Sequence, residues 1–477
     1  MPRLTRLLGG GWPADITIAG PGTLTLNPSL PSSLYGLNIQ GNVILAGGTL
    51  ATSVAGSSAT WGMYLNGGNL TVAGGTLNTA GWDTFVSGTF TVSSGAYNNI
   101  GDLSNATNGN ATINVSGGNF SVAGNINVSA SGNNNGTINL NGGTLDCAGT
   151  GWDQGVHLTP WAEAVQSSTG TLNLDSGNLI TSFIYNGSGT GTVNFNGGTV
   201  TAKQDNANQF ISWQFSAPTC NVKSGGAIFD TAGHAIGILA ALVADSPSGG
   251  LTKNGLGTLT LYGTNTYTGD TKVSGGVLAV NGSSIADTIK LIIDGGKVDL
   301  TNAETVDSLF FGTTQQPAGT YSATGDGGTI LSTNFTGSGT LIVTTGAAAD
   351  PYSIWADTFL PGNDVSNPAG DNDHDGLTNQ QEFAFGLSPV SSSSVNPITV
   401  QLDKTTGTFT YQRRAATGLT YKIQTSTDLV DWPEDTGATA SQVAGAVTNG
   451  NQTVVVTLTG TKPLATTQLF VRVAAQQ

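Results

Sequence analysis

An all-β chain, a stack of coils with a small β-sandwich appended, is what three observations predict. Glycine supplies 70 of 477 residues, about twice average usage. Aliphatic residues and threonine stay plentiful, which describes turn-dense β-structure rather than a flexible linker. Residues 15–343 repeat a weak unit in which alternating apolar residues precede a glycine pair and one more apolar residue. Clear copies are Thr112-Ile113-Asn114-Val115-Ser116-Gly117-Gly118, Thr137-Ile138-Asn139-Leu140-Asn141-Gly142-Gly143, Thr171-Leu172-Asn173-Leu174-Asp175-Ser176-Gly177 and Thr192-Val193-Asn194-Phe195-Asn196-Gly197-Gly198. Equivalent slots at 117, 142, 176, 197 and 225 are 25, 34, 21 and 28 residues apart. Irregular steps of this size suit a solenoid with loops of variable length better than a globular sandwich, the alternative fold.

Each element follows from the same pattern. One such unit cannot bury its apolar side alone, so each coil lies on the one before it and Ile, Val, Leu and Phe point inward. Asn114, Asn139, Asn173 and Asn194 share one slot and point the other way, where neighbouring amides stack into a ladder. The stretch Leu251 to Val280 is the clearest coil. Thr258 to Leu261 and Val273, Val277, Leu278 and Val280 alternate as half-buried strands, and Gly255, Gly257, Gly263, Gly269, Gly275 and Gly276 supply bends.

In Leu251, Lys253, Gly255, Gly257 to Leu261, Gly263, Asn265 to Gly269, Thr271, Val273 and Gly276, this stretch resembles the autotransporter-associated β-strand repeat (passenger-associated transport repeat) of bacterial exoproteins. The resemblance implies a right-handed parallel β-helix, or solenoid, displayed outside the cell. It implies neither a ligand nor a reaction. On this reading residues 1–14 are an end cap or leader remnant and 15–346 form the β-helix. A linker then spans 347–394, and a β-sandwich module spans 395–477.

Bulk charge narrows the partners. Only 9% of residues are charged, and the formal net charge is -15. Nucleic acid and anionic lipid are bound mainly through Lys and Arg, so both are excluded as partners. No apolar run reaches the roughly 18 residues of a membrane-spanning helix, and Met1 to Trp12 lack the apolar core of a signal peptide. Two cysteines, Cys147 and Cys220, are too few for a disulfide scaffold or a structural zinc site. They read as buried thiols, with one disulfide between neighbouring coils as the other reading.

Residues 150–168 interrupt the repeat and account for the 34-residue step. They gather Trp152, Asp153, His157, Trp161 and Glu163, where indoles stack on sugar rings and carboxylates move protons in glycan-active proteins. A glycan-binding loop is one reading and plain packing the other; catalysis there ranks below both. A polysaccharide lyase base is poorly supplied, since no Lys or Arg lies between Arg6 and Lys203. We assign no catalytic residue and expect a protein that is not an enzyme.

After the solenoid, Trp355 and Phe359 mark a brief helix ended by Pro361-Gly362. Then Asp371-Asn372-Asp373-His374-Asp375-Gly376-Leu377-Thr378-Asn379-Gln380-Gln381-Glu382 matches D-x-[DN]-x-[DN]-G-x5-E throughout. Calcium takes six to eight oxygen ligands, and this spacing offers Asp371, Asp373, Asp375 and Glu382 side chains, the Leu377 carbonyl, and Asn379 directly or through water. Gly376 permits the turn. Thr378 with Gln381 forms a capping box and Gly386 ends the following helix. With no helix entering at Asp371, the loop is similar to those of dockerins and thrombospondin type 3 repeats. That implies a structural clip between solenoid and terminal module rather than a switch. From Ile398 to Val473, alternating strands with turns at Thr406-Gly407 and Asn449-Gly450 complete the sandwich.

The sequence as a whole therefore reads as a secreted or cell-surface structural or adhesive protein, a rigid β-helical rod with a calcium-stabilised terminal module. A self-assembling extracellular fibre, and a protein that binds or degrades polysaccharide, are the two alternatives. The partners expected are extracellular polysaccharide, a cell surface, or further copies of the chain.

Overall fold

A computed structural model describes residues 16–20, 22–26, 35–52, 61–149, 154–161, 165–282, 284–324, 330–347, 350–359, 362–393, 396–458 and 468–476. The expected end cap at residues 1–14 lies outside these. Two compact units divide the chain, Met1–Ala347 and Ala348–Gln477.

The first unit is a parallel β-solenoid. Its strands carry the predicted alternation: in Ala111–Val122 and Asn135–Cys147, buried residues alternate with half-buried ones on either side of the glycine pair. Each coil hydrogen-bonds in parallel to the next, so Ile113 lies beside Ile138, Ile138 beside Leu172, and Leu172 beside Val193. The inward residues form one continuous core from Leu37 to Val343. Glycine turns the corners because two conditions coincide there. Gly118 and Gly143 have φ of +70° and +67°, and a Cβ on either would lie 2.4 or 2.5 Å from the carbonyl of the glycine one coil below.

The asparagine slot forms the expected ladder and extends it by one rung. Asn139 donates to Asn114 (2.8 Å), Asn173 to Asn139 (2.7 Å), Asn194 to Asn173 (2.6 Å) and Asn221 to Asn194 (2.8 Å). Ladder steps of 25, 34, 21 and 27 residues give the true coil lengths. The interrupting stretch does not simply leave the stack, as the sequence suggests: Val156–Thr159 within it is itself a solenoid strand, paired in parallel with Ile126–Asn127 on one side and Ile184–Asn186 on the other. Cys147 and Cys220 are free and buried. They belong to different strand columns, Cys147 beside Val122 and Cys220 beside Val193, and burial pushes both thiols up to about 12.

The 251–280 stretch makes two successive turns of the stack rather than the single coil expected, with Leu251 beside Thr271 and Thr258 beside Val277, and its polar residues join those turns. Lys253 is fully buried, and its ammonium donates to Thr231 Oγ1 (3.0 Å) and to the carbonyls of Asn254 (2.8 Å), Gly255 (2.9 Å) and Gly275 (3.0 Å). Asn265 accepts from the Leu242 N–H (2.7 Å), and the buried Tyr267 hydroxyl meets Thr271 Oγ1 (2.6 Å). At the far end the parallel order breaks. Gly319–Ser322 runs antiparallel to Leu341–Val343, and Thr314–Gln315 folds back on Ser308–Phe311. Such reversals cover a parallel stack's last edge.

The second unit is small and mixed. Helix α1 (Pro351–Asp357) is capped by Asp350, and helix α2 (Asn379–Phe385) follows the acidic loop. Two antiparallel sheets follow. One orders its strands Ile398–Asp403, Thr408–Arg414, Asn451–Thr457, Val443–Thr448; the other pairs Thr420–Ser426 with Phe470–Gln476. Phe409, Tyr411, Val454 and Val456 from the first and Tyr421 and Ile423 from the second share one core with Ala384 and Phe385 of α2. Among the described residues, no helix is long and apolar enough to cross a membrane.

Candidate metal centre and solenoid surface

The acidic loop is shaped by its own side chains. Asp371 accepts from the N–H groups of Asp375 (3.2 Å) and Gly376 (3.0 Å), and Asp375 accepts from that of Leu377 (2.9 Å). His374 and Gly376 take positive φ, +62° and +98°, so the chain coils tightly around the carboxylates. The capping box forms as expected: Thr378 N–H donates to Gln381 Oε1 (2.8 Å) and Gln381 N–H to Thr378 Oγ1 (3.3 Å). The Thr378 N–H shares a peptide with the Leu377 carbonyl, so the box also fixes where that carbonyl points. Gly386 ends α2 in the left-handed region.

This folding brings carboxylates together. Asp371, Asp373 and Asp375 each place an oxygen within 4.8 Å of the others'. Glu382, on the first turn of α2, is 0% exposed. Both its oxygens, and both of Asp373, are buried without a hydrogen-bond partner. Burial, reinforced by the charges of Asp373, Asp375 and Asp371, pushes Glu382 up to about 7. Buried carboxylate oxygens are costly unless paired or coordinated. The all-oxygen donor set therefore fits a cation, which makes the cluster a candidate metal centre. Asn379 differs from its neighbours: its amide donates to the Asn367 carbonyl (2.9 Å) and accepts from the Asn372 N–H (3.4 Å).

On the solenoid, the interrupting loop is partly described. Trp152, Asp153 and Glu163 lie outside the described residues. His157 and Trp161 lie within them, and both converge on Tyr185 of the next coil. Trp161 stacks on the Tyr185 ring at 5.2 Å with planes 13° apart, and His157 meets it at 5.8 Å. His157 also meets Phe183 edge to face at 5.2 Å. Tyr185 does not stand out in the sequence. Its signal is the register, since Val156-His157 pairs with Ile184-Tyr185.

Fold and loop together define the class: a repeat-built parallel solenoid followed by a small β-unit with an acidic, metal-competent loop. Within it, residues 251–280 match the family model described as Passenger-associated-transport-repeat. No curated protein and no solved structure matches the chain.

Proposed function

We propose that this is a secreted or surface-displayed structural passenger, non-catalytic, whose solenoid acts as a rigid, protease-resistant spacer or adhesive rod and whose terminal unit is locked by calcium. The observation that carries the reading is the seating of the transport repeat. Its two turns pair with each other, Leu251 beside Thr271 and Thr258 beside Val277, and run in register with the coils that flank them, Leu251 beside Ala227 and Val277 beside Lys297. The solenoid's buried charges serve the stack itself: Glu304 accepts from the N–H groups of Ser284 (2.9 Å) and Ile285 (3.5 Å), as Lys253 donates to its four acceptors.

For the terminal unit, Asp371, Asp373, Asp375, the Leu377 carbonyl and Glu382 hold the ion, with water filling the Asn379 position. Calcium neutralises carboxylates that the chain leaves without donors and ties the loop to α2, which carries Phe383, Ala384 and Phe385 into the unit's two cores. The test is calorimetry of the full chain in calcium and in excess chelator. Saturation at about 100 times Kd adds about 2.7 kcal/mol, which raises the terminal unit's transition by roughly 10 °C and leaves the solenoid's unmoved. An identical trace in chelator sinks the calcium assignment. Antibody labelling of intact and permeabilised cells, with a blot of the culture medium, tests display: a solenoid epitope labelled only after permeabilisation and absent from the medium refutes it.

A further inference from the structure

We infer that the Trp161–Tyr185 stack is a binding platform for a neutral polysaccharide chain. Trp161 is 68% exposed, although one face of its indole lies flat on Tyr185. The opposite face is therefore the one turned to solvent. A large aromatic side chain held this way, rather than folded into the adjoining core, is the informative kind of exposed residue.

The backbone beneath it is pinned. Pro160, which precedes Trp161, has its carbonyl held by both the N–H and the Oγ of Ser188 in the next coil, each at 2.8 Å. Thr159 Oγ1 donates to Asn186 Oδ1 (2.8 Å) and accepts from the Gly189 N–H (3.0 Å). Gly187 permits this approach, since a Cβ there would lie 2.0 Å from the Pro160 carbonyl. Little conformational freedom remains to be lost when a ligand lands.

The class of ligand follows from what surrounds the ring. In register with Tyr185 along the solenoid stand the half-buried Ser104, Asn127 and His157. None carries a fixed charge. They form a straight column of hydroxyl, amide and imidazole groups at the spacing of strands, about 4.8 Å, which suits an extended chain rather than a single small molecule. The negative π face of the indole attracts the C–H-bearing face of a pyranose ring. A surface of net charge -15 with no Lys or Arg in that column disfavours polyanions and nucleic acid.

Affinity electrophoresis of the full chain through native gels containing mixed-linkage β-glucan, xyloglucan, galactomannan or, as the charged comparison, polygalacturonate tests this. At least one neutral polymer is expected to retard the protein. Trp161→Ala weakens that binding at least tenfold, Trp161→Tyr only a few-fold, and Trp82→Ala, an exposed indole elsewhere on the solenoid, not at all. A variant that folds poorly leaves a test on the native chain: the binding polymer shields Trp161 from oxidation by N-bromosuccinimide, read by peptide mass mapping. Retardation by none of the neutral polymers, retardation by polygalacturonate alone, full binding by a folded Trp161→Ala protein, or undiminished Trp161 oxidation overturns the inference.

Discussion

Lys253 in the solenoid and Glu382 in the terminal unit are both fully buried, and they are treated in opposite ways. Lys253 has four oxygen acceptors drawn from its own coil and from the coils on either side. Glu382 has no donor to either oxygen, and three aspartates crowd it. The difference lies in architecture. A stack of coils brings backbone groups to every interior position at a fixed spacing, so a buried charge placed there finds partners wherever the chain continues. The acidic loop is a single turn with no coil above or below it, and its carboxylates converge on one another. The buried lysine is satisfied from within the chain; the buried glutamate is placed for a partner from outside it.

The largest expected effect breaks the solenoid side of that contrast. Lys253→Met keeps most of the side-chain volume and strips the charge, leaving Thr231 Oγ1 and three carbonyls without their donor. Removing a buried charged donor from such a cage costs about 3–5 kcal/mol. Equilibrium urea unfolding of the variant is expected to show the solenoid transition at lower denaturant and the terminal transition where it was. A loss under about 0.5 kcal/mol, within the range of ordinary surface substitutions, would mean that the acceptors are satisfied by water and the staple is dispensable.

How much of this was legible in the sequence differs between the two units for the same architectural reason. The acidic loop is local: twelve consecutive residues carry the ligand spacing, and Thr378, Gln381 and Gly386 announce the start and end of α2 within eight residues of one another. Reading it needed no long-range information. What escaped is how Asn379 is used, because its partner Asn367 lies upstream of the motif. In the solenoid the strands were legible from the glycine pairs and the alternation, and four ladder rungs followed from their shared slot. Asn221 escaped because the residue before it is Cys220, where the other four coils carry Ile113, Ile138, Leu172 or Val193. Tyr185 escaped because only the loop lengths of two coils determine that it faces His157. Asp83 gave no signal at all, since nothing in its neighbours along the chain requires a buried carboxylate.

Asp83 marks an exception within the solenoid and sharpens the comparison next. It is fully buried. Its Oδ2 accepts from Thr79 Oγ1 (2.6 Å) and from the Tyr97 hydroxyl, while Oδ1 has no partner. Burial pushes its carboxyl from 3.8 up to about 6, against the smaller opposing effect of these hydrogen bonds. In that window the folded chain keeps a proton that the unfolded chain has already released. Stability from this group is therefore greatest in acid and falls as pH rises from about 4 to about 6, by about 3 kcal/mol in all. Asp83→Asn removes the titration. The difference in unfolding free energy between wild type and variant, measured across pH 3.5 to 7, is expected to slope in this window and to be level above it. A difference independent of pH would place the charge in a better-solvated setting than the geometry gives it.

The smallest effect concerns the asparagine ladder, where position within the stack decides the cost. Asn173 both donates to Asn139 and accepts from Asn194, whereas Asn221 has only its bond to Asn194. The ladder is half-exposed, so each bond is worth the low end of the usual 0.5–1.5 kcal/mol. Asn173→Ala is expected to cost about 1–1.5 kcal/mol and Asn221→Ala about half of that, by urea unfolding of the solenoid transition. Equal losses would mean that each amide is paired chiefly with water rather than with its neighbours. The modest size points to what the ladder does. A one-residue slip between coils would turn Leu172 and Leu174 outward and Asn173 inward, and amide-to-amide bonding across five coils rewards only the register in which every rung meets the next. The ladder thus selects among ways of stacking coils whose lengths, from 21 to 34 residues, do not select it by themselves.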